Sequence, residues 1–150
     1  MRTFPTLKDL AAEEGNELGV SDWMVVDQER INMFADATGD HQWIHVDPER
    51  TQAELGMSTI AHGYLTMSLV VPFVQEVFGV ASVTRALNYG TNKIRFINMV
   101  PVNSRLRGRV TLLRASLGEG TCRTISEVTV EIEGEEKPAM VAETITLFFE

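Results

Sequence analysis

Between His62 and Phe78 the chain carries Tyr64, Leu65, Met67, Leu69, Val70, Val71, Phe73, Val74, Val77 and Phe78, so a helix drawn through it is apolar on nearly every face. Such a helix is stable only when it is covered on most sides. The run is too short for a membrane span, which needs ~20 uninterrupted apolar residues, and Pro72, Gln75 and Glu76 interrupt it. The rest of the chain must therefore supply the layer that wraps it.

That layer is legible after Gly79. Val83–Tyr89, Asn92–Asn98, Ser104–Arg114, Cys122–Glu133 and Ala139–Phe149 read as strands, with Gly118-Glu119-Gly120 and Gly134-Glu135-Glu136-Lys137-Pro138 as hairpin connections. Cys122, Val128, Val130 and Ile132 fall on one face and Glu127, Thr129, Glu131 and Glu133 on the other, the pattern of an antiparallel sheet with one wet face. Ahead of the apolar run, Thr6–Glu14 reads as a short helix capped by Thr6 and stopped by Gly15, and Leu18–Val26 as a strand. Asp27 then caps a helix whose Ile31, Phe34, Ala35 and Thr38 form one inward stripe, with Gly39 as its left-handed stop. Asp47-Pro48 opens another short helix that ends by Gly56. At 150 residues, 44% of them hydrophobic, the expectation is a single α+β domain over residues 1–150, a curved antiparallel sheet wrapped around a long central helix.

A net charge of −8 argues against nucleic acid or an anionic membrane as main partner, because both would be repelled. Met1-Arg2-Thr3-Phe4-Pro5 carries no export signal, so a cytoplasmic location is expected. Cys122 is the single cysteine and reads as an unreactive strand residue in a reducing compartment.

Asp40 and His45 place a carboxylate and an imidazole in one loop just past a helix end. Together they can hold a water, take a proton from it and return one elsewhere. Singly, each has a structural alternative, Asp40 as a turn residue and His45 as a partly buried loop residue. His41 reads as solvent-facing and auxiliary. The His41-x-x-x-His45 spacing, with no helix expected there, is weak support for a metal, and none is expected. A helix opening at His62-Gly63 presents N–H donors without intrahelical partners, and glycine lets a ligand approach them; tight packing at the helix start is the competing explanation for Gly63. His62 reads as structural, bonding a loop carbonyl. Arg105, Arg107 and Arg109 share one strand face and read as a solvated surface, with anion binding as the alternative; Lys93 and Arg95 also alternate on a strand. Met67, Phe73, Val74 and Val77 belong to the core or to a ligand tunnel.

Phe34-x-x-x-x-Gly39-Asp40-x-x-x-Ile44-His45-x-Asp47, followed by Ile60-Ala61-His62-Gly63, resembles the hydratase motif of MaoC-like (R)-specific enoyl-CoA hydratases. Asn88-Tyr89-Gly90-x-Asn92-Lys93-x-Arg95-Phe96, with Asp40-His41-Gln42-Trp43-Ile44-His45, is similar to the branch related to nodulation protein N. The resemblance covers almost the whole chain. It implies a hot-dog fold, a homodimer, and reversible syn addition of water to a trans-2-enoyl-CoA to give the (R)-3-hydroxyacyl product. Asp40 and His45 would activate the water, and the Gly63 amide would polarise the thioester carbonyl. No metal or redox cofactor is implied, since coenzyme A is part of the substrate. Many hydratases of this kind have Asn-Pro where this chain has Gln42-Trp43, so Trp43 is expected to shape the acyl pocket. A polar residue that some members carry on the central helix aligns near Val71, with Ser68 one turn earlier, and its role is not carried over. Gln42, Trp43, Ser68, Lys93 and Arg95 are the further substrate-binding candidates. An acyl-CoA thioesterase on the same fold is the alternative enzyme, though its carboxylate is expected on the long helix, and a non-catalytic acyl-CoA-binding module is the third reading.

Overall fold

The two aspartates that the sequence marks as caps act as caps. In the computed structural model, which describes residues 1–150, Asp27 Oδ1 accepts the Arg30 N–H at 2.9 Å and opens α2 (Gln28–Thr38). Gly39 closes that helix at φ 78°, a conformation that costs glycine least. Asp47 Oδ1 likewise accepts the Arg50 N–H at 2.9 Å and opens α4 (Pro48–Leu55), which stops at Gly56. Near the N-terminus, Thr6 and Asp9 bond reciprocally at the start of α1 (Leu7–Ala11), which is shorter than expected because the chain beyond Ala11 unwinds into turns. Before it lies β1 (Arg2–Phe4), an element without a sequence signal.

The expected strand over Leu18–Val26 is split into β2 (Glu17–Val20) and β3 (Met24–Val26), both antiparallel to β6 (Ser104–Gly118). Ser21 is the cause. Its N–H donates to the Gly108 carbonyl at 2.9 Å while its hydroxyl accepts the Gly108 N–H at 3.0 Å, replacing a ladder carbonyl with a side chain. Asp22 and Trp23 then leave the ladder, the Asp22 N–H on the Glu76 carboxylate and the Trp23 ring under the Arg107 guanidinium at 4.4 Å.

The central helix is also in two pieces, α5 (Gly63–Ser68) and α6 (Val70–Val77), joined at Leu69. Pro72 explains the joint, since it has no N–H for the Ser68 carbonyl and its ring crowds that position. Phe78 turns extended and starts β4 (Phe78–Val80), which pairs in parallel with β1. The two strands expected at Val83–Tyr89 and Asn92–Asn98 are one, β5 (Arg85–Phe96), because register shifts between Asn88 and Gly90 and between Thr91 and Lys93 absorb the glycine. With β7 (Thr121–Ile132) and β8 (Met140–Phe149), the main sheet runs β2-β6-β7-β8-β5, antiparallel throughout, with β3 also on β6. This is the hot-dog fold. No helix is long and apolar enough to cross a membrane.

Helix and sheet meet most closely where Phe73, fully buried, lies on Gly108. A methyl group added at Gly108 would sit 2.6 Å from Phe73 Cβ. Gly108→Ala is therefore expected to destabilise the fold by roughly 1–3 kcal/mol through overpacking, read as a lower urea midpoint at unchanged m-value. On the outer side of β6, Arg105 pairs with Glu133 at 2.8 Å, Arg107 with Glu131 at 2.6 Å, and Arg109 with both Glu131 and Glu17. All three cations are thus neutralised on the solvated face, as the first reading of that strand has it. Cys122 is buried, and burial pushes its thiol pKa up.

Candidate active site

The left-handed turn at Gly39 reverses the chain, so Asp40 begins a loop instead of a further helical turn. Its N–H reaches Thr38 Oγ1 at 3.4 Å, and its Oδ1 accepts the Gln42 N–H at 3.4 Å, leaving an exposed carboxylate held from both sides. Beyond it α3 (Trp43–Val46) is a short helix where the sequence predicts none. Gln42 at its cap makes no side-chain capping bond. The turn is held from outside, by the Thr51 hydroxyl on the Trp43 carbonyl at 3.3 Å and by the Ile60 N–H on the Ile44 carbonyl at 3.1 Å.

That turn drives His45 inward, to 7% exposure. Its Nδ1 lies 2.7 Å from the Ile60 carbonyl. A carbonyl only accepts, so Nδ1 carries the hydrogen and Nε2 keeps its lone pair for chemistry. Gln28, which the sequence reading missed, braces both ends of this arrangement. Its Nε2 donates to the His45 carbonyl at 2.8 Å, and its Oε1 accepts from the Thr59 hydroxyl at 2.5 Å, one residue before Ile60. As an ordinary polar residue in a first helical turn, Gln28 carries no local signal of that role.

His62 links the two candidate groups. Its ring stacks on His45 with centroids 3.9 Å apart, packs against Phe34, and its Nε2 donates to the Asp40 carbonyl at 3.0 Å. Nδ1 is buried without a partner. Burial holds the His62 pKa below its ordinary 6.5, and the neighbouring His45 and His41 push the same way, against the Asp40 carbonyl and carboxylate. Between that depressed value and 6.5 the unfolded chain binds more protons than the folded one, so His62 makes stability fall as pH drops through this window. His62→Phe keeps a ring on His45 but does not titrate. Its urea midpoint is expected to change less than the parent's between about pH 7.5 and pH 5.5, and an equal change would refute the assignment. His41 is exposed and bound to Asp36 at 2.8 Å, which raises its pKa.

Asp40, His45 and His62 each offer an atom within 4.8 Å of the others. Stacked rings direct their in-plane lone pairs side by side, whereas a bound zinc needs nitrogens converging at ~2.0–2.1 Å. The cluster can hold a water or a substrate oxygen.

Gly63 opens α5 directly after His62 of this cluster. Its N–H finds no acceptor within the chain. The Phe96 ring lies where a side chain would begin, 3.2 Å from an added Cβ. Nothing in the sequence spacing marks Phe96 for this contact. The remaining candidates are dispersed. Trp43 carries the Arg50 guanidinium 4.5 Å from its ring, and Gln42 is exposed. Lys93 pairs with Glu143 at 3.4 Å, and Lys93 and Arg95 alternate with the inward Ile94 and Phe96, so they face away from Gly63. Ser68 donates to the Tyr64 carbonyl at 2.8 Å on the rim of a cavity of about 480 Å³ between the central helices and β5, β7 and β8. Met67 and Val74 line that cavity, whereas Phe73 and Val77 are sealed in the core.

A long helix wrapped by an antiparallel sheet, with the Asp40, His45 and His62 cluster at its N-terminal end, defines a hot-dog domain. The MaoC like domain model matches residues 9–135, and the chain belongs to that family of dehydratases and is a hydro-lyase. It is 50% identical over 149 residues to 3-hydroxyacyl-thioester dehydratase Z of Mycobacterium tuberculosis, covering 99% of each chain. It is 44% identical to nodulation protein N of Rhizobium leguminosarum bv. viciae, covering 95% of this chain and 90% of that one. Among solved structures it superposes on R-hydratase PhaJ1 from Pseudomonas aeruginosa with a TM-score of 0.75 at 19% identity, covering 97% of this chain and 86% of that one.

Proposed function

We propose that this chain catalyses the reversible syn hydration of trans-2-enoyl-CoA to (R)-3-hydroxyacyl-CoA. The observation that carries it is the tautomer of His45, whose Nδ1 is taken by the Ile60 carbonyl so that Nε2 keeps its lone pair, in a cluster with the Asp40 carboxylate. Both groups are acceptors, so one water can donate its two O–H bonds to them and turn its oxygen lone pair toward the β-carbon. As the C–O bond forms, one water proton passes to the pair and the pair returns one to the α-carbon on the same face, so the enzyme ends unchanged. Negative charge that builds on the thioester oxygen is met by the Gly63 N–H. The acyl chain is assigned to the cavity beside Met67 and Val74, which begins one helical turn beyond Gly63 and is lined by none of Asp40, His45 and Gly63.

A thioesterase is less well supported. The one carboxylate on α5 and α6, Glu76, accepts the Asp22 N–H at 3.1 Å and does not line the cavity. Absorbance at the enoyl-thioester band with crotonyl-CoA, alongside a thiol assay, separates the two: loss of the band without free thiol is expected, and thiol release would sink the hydration reading.

The second copy of a homodimer covers β5. This edge strand is exposed almost throughout, with Leu87 and Tyr89 more than half open to solvent, and an uncovered apolar edge invites pairing. Sedimentation at micromolar concentration is expected to give a dimer, and a monomer would contradict the assignment.

A further inference from the structure

The inward face of the sheet changes chemistry along its length. In register, β7 and β8 set Val130 opposite Met140 and Val128 opposite Ala142, then Ser126 opposite Thr144 and Thr124 opposite Thr146, then Cys122 opposite Phe148. Cross-strand partners share a face, so the middle rows form a patch of hydroxyls bounded on both sides by apolar rows. All four of these residues line the cavity, opposite Met67, Val71 and Val74 of the central helices. Threonine's preference for strands explains its presence on a wet face. It does not explain hydroxyls on the face where the neighbouring rows are aliphatic.

The hydrogen bonding of the patch is incomplete. Thr124 donates to the Thr146 carbonyl at 3.4 Å and Thr144 to the Ser126 carbonyl at 3.3 Å. The hydroxyls of Ser126 and Thr146 take part in no hydrogen bond within the chain and are open to the cavity. A plain hydrocarbon tail entering here would strip water from these groups and return nothing, which disfavours it.

We infer, building on the thioester reading above, that the preferred acyl group carries an oxygen substituent, hydroxyl or oxo, on its distal part, bound by the Ser126 and Thr146 hydroxyls. The position follows from the helix. Gly63 and Val71 are eight residues apart, about 12 Å at helical rise, so the oxygen lies several carbons beyond the reacting double bond.

Matched pairs of trans-2-enoyl-CoA thioesters test this: octenoyl against 8-hydroxyoctenoyl, and decenoyl against 10-hydroxydecenoyl. kcat/KM is expected to be at least about tenfold higher for the hydroxylated member of one pair, and Ser126→Ala with Thr146→Val to abolish that preference. Equal or higher kcat/KM for the unsubstituted member of both pairs, or a preference that survives both substitutions, overturns the inference. Calorimetry with saturated 10-hydroxydecanoyl-CoA and decanoyl-CoA separates this inference from hydration itself. If no thioester is hydrated, tighter binding of the hydroxylated ligand still supports the cavity assignment, and equal or weaker binding overturns it.

Discussion

Asp40→Asn and His45→Ala are each expected to lower kcat/KM for crotonyl-CoA hydration by roughly 10²–10⁴-fold, the range of a positioned acid–base group. Asp40→Asn is the cleaner of the two. The backbone carbonyl that receives His62 Nε2 is untouched, and the side chain is exposed, so the far-ultraviolet circular dichroism and the urea midpoint should match the parent. His45→Ala removes a ring that stacks on His62 and leaves the Ile60 carbonyl without its donor, at a stability cost of about 1–3 kcal/mol; rates must be compared well below its melting temperature. Two groups that share one water act as a unit, so the double variant is expected to be no slower than the more damaging single one. Additive losses, or near-parent rates in either single variant with the fold intact, would remove the pair from the reaction.

What the sequence made legible is what local chemistry fixes. Asp27, Gly39, Asp47 and Gly56 bound their helices because a cap is formed within a few residues of itself. The inward and outward faces of β7 followed from period-two alternation. Most of the misses are non-local. β1 exists only because β4, far along the chain, lies beside it. The split at Ser21 depends on Gly108, and α3 depends on Thr51 and Ile60. The break in the central helix is the exception, since Pro72 announces it in the sequence. In the site, Asp40, His45 and Gly63 stood out as residue types suited to chemistry. Gln28 and Phe96 act through contacts that no spacing reveals. Thr124 and Ser126 fall in the same alternating phase as Cys122 and Val128, so their inward direction is legible in the sequence, whereas the cavity they line is not.

Gly63→Pro tests the remaining component without touching a side chain. Proline deletes the N–H and nothing else that the first helical position needs, because that residue makes no intrahelical donor bond. The preceding residue is already suitable: His62 has φ −60° and ψ 142°, the extended region that a following proline demands. Loss of one preorganised donor to a developing oxyanion costs about 2.7–4 kcal/mol, or roughly 10²–10³ in kcat. The ring does add atoms next to Phe96, which already stands 3.2 Å from an ideal Cβ at this position. Gly63→Ala supplies the matching control, since it introduces that steric contact and keeps the N–H. If the amide stabilises charge in the transition state, proline should depress kcat far more than alanine, with both variants folded. If alanine and proline are equally damaging, the glycine serves the fit of Phe96 on the helix, and the thioester oxygen must find its donor elsewhere.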